Sequence, residues 1–271
     1  MAITRSLAAI TGASSGIGRV FARKLAPSHD LLLIARRGQL LAALADELVA
    51  QHGAVVRWIE ADLAQAADLS RVAHQLAAEP ELALLINNAG FGMTGPFWDA
   101  DPERLDSMQR LHVMATMRLC QAALRSMLGR GSGAIINVAS VASFVRRAGS
   151  ASYGASKSWI AAFTEALYLD LKKAQSPVTV QALCPGYTYS EFHDILGVDR
   201  KRLASSAFWM SAEQVVDRSL ASLTRGQLFV IPGWRYRLLC MLITKLPTSL
   251  RLYIEAATSP KLSPENKSGG T

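Results

Sequence analysis

Short apolar runs alternate with stretches of helical periodicity along most of the chain. The runs Leu7–Thr11, Asp30–Ala35, Val55–Ile59, Leu82–Ile86, Ala134–Ala139, Val178–Leu183 and Gln227–Ile231 are five or six residues long. They are too continuously apolar for half-exposed strands, which predicts strands buried on both faces. A period of 3.6 marks helices over Arg19–Ala26, Leu69–Ala78, Pro102–Leu128, Ser152–Lys173 and Ala212–Leu223. Seven strands separated by helices predict an α/β fold, a doubly wound parallel sheet with helices on both faces. No linker, charge block or repeat divides it, so residues 1–233 read as one domain.

Beyond Ile231 the pattern changes. Leu238, Leu239, Leu242, Ile243, Leu246 and Leu250 recur at helical spacing among Arg235, Arg237, Lys245 and Arg251, which predicts a C-terminal helical extension over 234–258, interrupted at Pro247. Such a segment can be a peripheral membrane-surface helix, a lid on a substrate pocket or part of a subunit interface. Residues 259–271 read as a disordered tail.

Composition adds exclusions. Half of the 271 residues are apolar, enough for a substantial core, and no apolar run approaches the ~18 residues of a membrane span. The start Met-Ala-Ile-Thr-Arg-Ser leads straight into a strand without a leader, so a soluble, cytoplasmic protein is expected. The net charge of +8 is scattered among acidic residues, which does not point to nucleic acid; a phosphate-rich small ligand accounts for it equally well. Cys120, Cys184 and Cys240 suit reduced, buried thiols, and the five histidines lack metal spacing, so no metal is expected.

Candidate chemistry lies where strands end. Thr11-Gly12-Ala13-Ser14-Ser15-Gly16-Ile17-Gly18 is a glycine-rich turn between strand and helix, suited to holding a phosphate on free amides at the helix start, although a plain turn has the same composition. The second strand ends in Arg36-Arg37, where an acidic residue would select NAD and an arginine accommodates the 2′-phosphate of NADP; a solvated arginine pair is the alternative. Asp62-Leu63 and Asn87-Asn88-Ala89-Gly90 fall just past strands, on the edge where a dinucleotide would lie, but are also ordinary turn formers.

Ser140 follows the fifth strand, and Tyr153 and Lys157 stand four residues apart on one helix face. An ammonium beside a phenol lowers its pKa from about 10 and would let Tyr153 pass a proton near neutral pH. The spacing alone is weak evidence. Tyr168 and Lys172 repeat it on the same helix, roughly 22 Å away, with no serine upstream at a strand end.

Taken together, Thr11 to Gly18, Asp62-Leu63, Asn87 to Gly90, Asn137 to Ser140, Tyr153-Gly-Ala-Ser-Lys157 and Pro185-Gly186 stand in an order and spacing that resembles the short-chain dehydrogenases/reductases, over about Leu7 to Ile231. The resemblance implies a Rossmann-type domain using NAD(P)(H). Gly12, Ser14, Ser15, Gly16, Ile17, Gly18, Asp62, Leu63, Asn88, Ala89, Gly90, Pro185 and Gly186 would line the dinucleotide, with Arg36 and Arg37 favouring NADP(H). Tyr153 would be acid/base, Lys157 would lower its pKa and hold the nicotinamide ribose, and Ser140 would bind the substrate oxygen. A homodimer or homotetramer is implied as well.

Two departures from the family pattern bear on the chemistry. His112 stands where the family usually has an asparagine that helps hold a relay water. Histidine can substitute for it, its titration then narrowing the pH range, or it can be a packed helix residue. After Pro185-Gly186 comes Tyr187-Thr188-Tyr189-Ser190, in which Thr188 or Ser190 would contact the cofactor. The following segment, with Phe192, Ile195, Leu196, Leu203, Phe208, Trp209 and Met210, suggests an apolar pocket, and Arg200-Lys201-Arg202 a basic turn. The expectation is an NADPH-dependent reductase of an apolar, lipid-like or steroid-like carbonyl. Its alternatives are alcohol oxidation by the same residues and a non-catalytic dinucleotide-binding protein.

Overall fold

The seven apolar runs form one parallel sheet in the computed structural model, which describes residues 5–191 and 206–259. The strands are β1 (Leu7–Thr11), β2 (Asp30–Ala35), β3 (Val56–Glu60), β4 (Leu82–Asn87), β5 (Ala134–Val138), β6 (Thr179–Leu183) and β9 (Phe229–Val230). Their order is β3-β2-β1-β4-β5-β6-β9, every neighbouring pair parallel. The chain reverses its direction of winding between β1 and β4, the place where such sheets open a crevice at their carboxyl ends.

Parity sorts the apolar strands into two layers. Leu7 and Ala9 of β1 join Leu32 and Ile34 of β2 on one face, while Ala8 and Ile10 join Leu31 and Leu33 on the other. The first face is covered by α3 (Ala66–Ala77), α5 (Thr116–Arg130) and α6 (Ala151–Lys173), through Leu69, Leu76, Leu119, Met127 and Leu171. The second is covered by α1 (Gly16–Leu25), α2 (Gly38–His52) and α7 (Ala212–Leu223), through Phe21, Leu25, Leu41, Leu48 and Val215.

Several boundaries differ from the sequence reading. The first helix begins at Gly16 rather than Arg19, so the last glycines of the turn already belong to it. The alternation does not mark α2, because exposed Leu40 and Val49 stand beside its buried leucines and blur the polar face. A two-residue pair, β7 (Thr188–Tyr189) with β8 (Met210–Ser211), is too short to leave a pattern. The helix expected over Pro102–Leu128 is three pieces: α4 (Pro102–Gln109), a π-helical segment (Arg110–Ala115) and α5. Such widened turns re-aim side chains, and His112 sits in this one.

The extension forms α8 (Trp234–Lys245) and α9 (Thr248–Thr258), parted at Leu246-Pro247 as expected. It packs on the loops around the strand ends. The Tyr236 ring lies against Gly186, and its Oη accepts from Tyr187 N at 2.9 Å and donates to Phe208 O at 2.7 Å. Glu255 accepts from Arg146 N at 2.8 Å, and Ser259 Oγ from Ala148 N at 2.9 Å. Among the described residues no helix is long and apolar enough to cross a membrane.

Tyr236→Phe strands the Tyr187 amide and the Phe208 carbonyl without their common partner. The expected loss is about 1–3 kcal/mol in urea unfolding, with faster amide exchange across α8 and α9. Unchanged exchange there would show that the tyrosine hydroxyl does not anchor the extension.

Candidate active site

The carboxyl ends of β1, β4, β5 and β6 bring the sequence motifs to one edge. Gly12 (φ +67°) and Gly16 (φ +52°) adopt backbone that favours glycine. A side chain on Gly18 would overlap the Gly12 carbonyl and stand 2.6 Å from Asn88 Nδ2. Asn88 closes this turn: its amide nitrogen donates to Thr11 O at 2.9 Å and Gly12 O at 3.3 Å. Thr11 Oγ1 returns the tie by accepting from the backbone of Asn88 and Ala89 at 2.9 and 3.0 Å. Thr11, in the quoted motif but not assigned a role, thus joins β1 to the loop after β4.

Several features of this turn suit an anion. Ser15 caps α1 with no side-chain hydrogen bond, and the first turn holds no acidic residue, so its amides are left for a ligand. Arg37 lies over the turn, donating to Ser14 Oγ at 3.1 and 3.2 Å and pairing with Glu191 at 2.9 Å. Arg36 is exposed and makes no hydrogen bond or ion pair among the described residues. Glu60, at the end of β3, sets a carboxylate against Gly38, so the arginine pair is not alone at that edge.

The remaining dinucleotide candidates fall on the same side. Ile17, in the first turn of α1, packs against the second core layer. Asp62 accepts from Ala64 N at 3.1 Å and so shapes its own turn, with Leu63 buried below. Ser190 touches the glycine-rich turn at Gly16, and Thr188 is buried, donating to Gly186 O at 3.1 Å. Phe192, Ile195, Leu196, Leu203 and Arg200-Lys201-Arg202 lie outside the described residues.

Ser140, Tyr153 and Lys157 converge. Ser140 follows β5 and caps the short turn Val141–Ser143, accepting from Ala142 N at 3.1 Å, and it hydrogen-bonds the Tyr153 side chain. Tyr153 stands in the first turn of α6 and Lys157 one turn on, its Nζ donating to Val138 O at 2.9 Å and lying 5.9 Å from the Tyr153 ring centre. Burial pushes the phenol up to about 12 against the pull of Ser140, and pushes Lys157 down to about 8.

His112 is fully buried beside this group. Its Nε2 accepts from Phe91 N at 3.2 Å, and its Nδ1 lies 2.8 Å from Ser156 Oγ, which donates to Tyr153 O at 2.8 Å. Ser156 stands within the Tyr153-Gly-Ala-Ser-Lys157 motif and had no assigned role; the signal for it was its place three residues after Tyr153, the reach of a helical hydroxyl to a backbone carbonyl. Burial, then the Lys157 charge, hold His112 well below the usual histidine range.

A cavity of about 240 Å³ between Phe208–Met210 and Gly233–Tyr236 is lined by none of Ser140, Tyr153 and Lys157. Among the described residues no cluster of His, Cys, Asp and Glu could hold a metal ion, and the three cysteines are free and buried.

A family model described as short chain dehydrogenase matches residues 6–199. The chain is 36% identical over 218 residues to the 1,6-dihydroxycyclohexa-2,4-diene-1-carboxylate dehydrogenase of Pseudomonas putida, covering 80% of this chain and 78% of that one. It is similar to the solved structure of a short-chain dehydrogenase from Sphingobium yanoikuyae in complex with NADPH, at a TM-score of 0.80 and 32% identity over 90% of this chain and 97% of that one. It is also similar to a short chain dehydrogenase/reductase from Burkholderia phymatum in complex with NAD, at 0.79 and 25% over 97% and 99%.

Lys157→Met removes a desolvated cation at the cost of its bond to Val138. The variant should be inactive yet more stable at pH 7, by about 1–2 kcal/mol in urea unfolding. The sign follows from a folded pKa of about 8 below the ordinary 10.5. Between those values the unfolded chain holds the proton, so the wild type gains stability as pH rises and the variant's advantage fades. An advantage that grew towards pH 10.5 would contradict this.

Proposed function

The chain belongs to the short-chain dehydrogenase/reductase family, an oxidoreductase family with a nicotinamide dinucleotide site, and we propose that this member uses NADPH to reduce the carbonyl of an apolar substrate. The observation that carries the reading is the convergence of Ser140, Tyr153 and Lys157 at the end of β5, beside a glycine-rich turn whose helix amides have no side-chain cap.

The turn Gly12–Gly18 would hold the pyrophosphate, Asn88–Gly90 would underlie the dinucleotide, and Arg36 and Arg37 would take the 2′-phosphate. NADPH supplies a hydride when bound. Ser140 orients the carbonyl oxygen with its hydroxyl, and Tyr153 gives that oxygen the phenolic proton. A phenol with a pKa of about 12 keeps this proton at neutral pH, the form that reduction uses. Lys157, still charged below about pH 8, then faces the new phenolate.

Apolar specificity is supported by what surrounds Ser140. Val141, Phe144, Val145, Tyr187, Phe208 and Tyr236 form one cluster, so α8 contributes to an apolar wall beside the serine. Assembly as a homo-oligomer through the long helices α5 and α6 belongs to the same reading, with Met114 and Leu169 exposed near or on them.

Turnover measured as NADPH oxidation should rise with the apolar length of aldehydes and ketones and fall about 10²–10⁴-fold in Tyr153→Phe. The reductive rate should decline above about pH 8 as Lys157 loses its proton. Wild-type turnover in the Phe variant would refute the role of Tyr153. Arg36→Asp should cut the preference for NADPH over NADH by roughly ten- to a hundredfold, from the loss of one charge-assisted phosphate contact. An unaltered ratio would remove Arg36 from cofactor selection.

A further inference from the structure

We propose that His112 is a positioning residue, a neutral imidazole that fastens the Gly90–Phe91 loop to the first turn of α6 and so fixes where Tyr153 stands. The inference rests on Tyr153 being the proton donor described above.

The hydrogen bonds assign the ring's protons. A backbone amide only donates, so the Nε2 that faces Phe91 N is unprotonated. A backbone carbonyl only accepts, so the Ser156 hydroxyl proton points to Tyr153 O. The remaining proton is on Nδ1, donated to Ser156 Oγ. The chain of donors then runs without a break from the Phe91 amide through the ring and Ser156 to the backbone of Tyr153.

This arrangement excludes a proton relay through the ring. A proton arriving at one nitrogen would have to leave by the other, and Nε2 is stopped by an amide donor. An imidazolium would set that amide against a second N–H. Among the described residues the charged and titratable groups beside the ring are Lys157 and Tyr153 of α6, the latter edge-on with centroids 6.0 Å apart. The Gly90–Phe91 loop offers backbone and one phenyl ring, and Arg110 of the π-helical segment is turned outward to Asp106.

Two features of the sequence make room for the strut. The π-helical turn brings residue 112 inward, and a side chain on Gly90 would stand 2.7 Å from Nε2. A second tie runs parallel, Gln109 Nε2 donating to Ser152 Oγ at 2.9 Å. The loop that would carry the dinucleotide and the turn that carries the proton donor are therefore one connected unit.

The test has two parts, both on the full chain. Nitrogen-15 NMR of the imidazoles, with the His112 signal identified by its loss in His112→Gln, should show a neutral Nδ1–H ring that does not titrate between about pH 5.5 and 8.5. A titrating signal or an Nε2–H ring overturns the proposal. In kinetics, His112→Asn keeps only the reach to Ser156 and His112→Gln only that to Phe91, so each should lower kcat by roughly tenfold or more, with the pH profile unchanged in shape. Dinucleotide affinity from protein fluorescence should stay within about threefold. Adding Ser156→Ala to either variant should cost little more than the worse single change. Additive losses, wild-type kcat in both single variants, or an acid limb that disappears with the histidine would each overturn it. Tyr153→Phe serves as the control: wild-type turnover there would fault the reading of Tyr153 and leave the NMR result standing.

Discussion

An ammonium group held almost out of water governs the electrostatics of the candidate catalytic edge. Lys157 is 4% exposed, its Nζ donates to the Val138 carbonyl, and its burial leaves it charged at neutral pH by a narrow margin. The same exclusion of water raises the neighbouring phenol, which stays protonated at neutral pH.

The remaining structure keeps this charge in place. Val138 is the last residue of β5, so the sheet itself supplies the acceptor, and Ser143 Oγ holds the Lys157 carbonyl at 2.7 Å. Asn137, one residue earlier, accepts from Asn87 and donates to Thr164 at 2.9 and 3.0 Å, tying β5 to β4 and to α6 inside the core. Side chains with fixed partners on two strands and a helix cannot drift independently. Tyr236 does the same from outside, joining the Pro185–Tyr187 loop to the segment at Phe208.

The layout of the fold was legible because strands buried on both faces must be apolar throughout, and all seven such runs became strands of one sheet. The placing of Ser140, Tyr153 and Lys157 was legible for a related reason: strand ends and a four-residue helical step determine position with little help from the rest of the chain. What escaped the sequence depends on contacts distant along it. The π-helical turn has no composition of its own, yet it decides which way His112 points. The direction of the Tyr153 shift could not be read from its spacing to Lys157, since it is set by how much water the whole edge excludes. Ser156 looked like filler in a motif until a histidine 44 residues away met it.

The second tyrosine–lysine pair shows where the information lies. Lys172 Nζ is 5.5 Å from the Tyr168 ring centre, as close as Lys157 is to Tyr153, on the same helix and in the same order. If a cation near a phenol sufficed, both pairs would be sites. Tyr168 packs against the core at the far end of α6, without a serine from a strand end, and Lys172 is exposed, so its charge is screened by water. Lys157 differs in being desolvated and bound to a strand carbonyl. The chemistry therefore belongs to the sheet edge that receives the helix, and the helix contributes only the spacing.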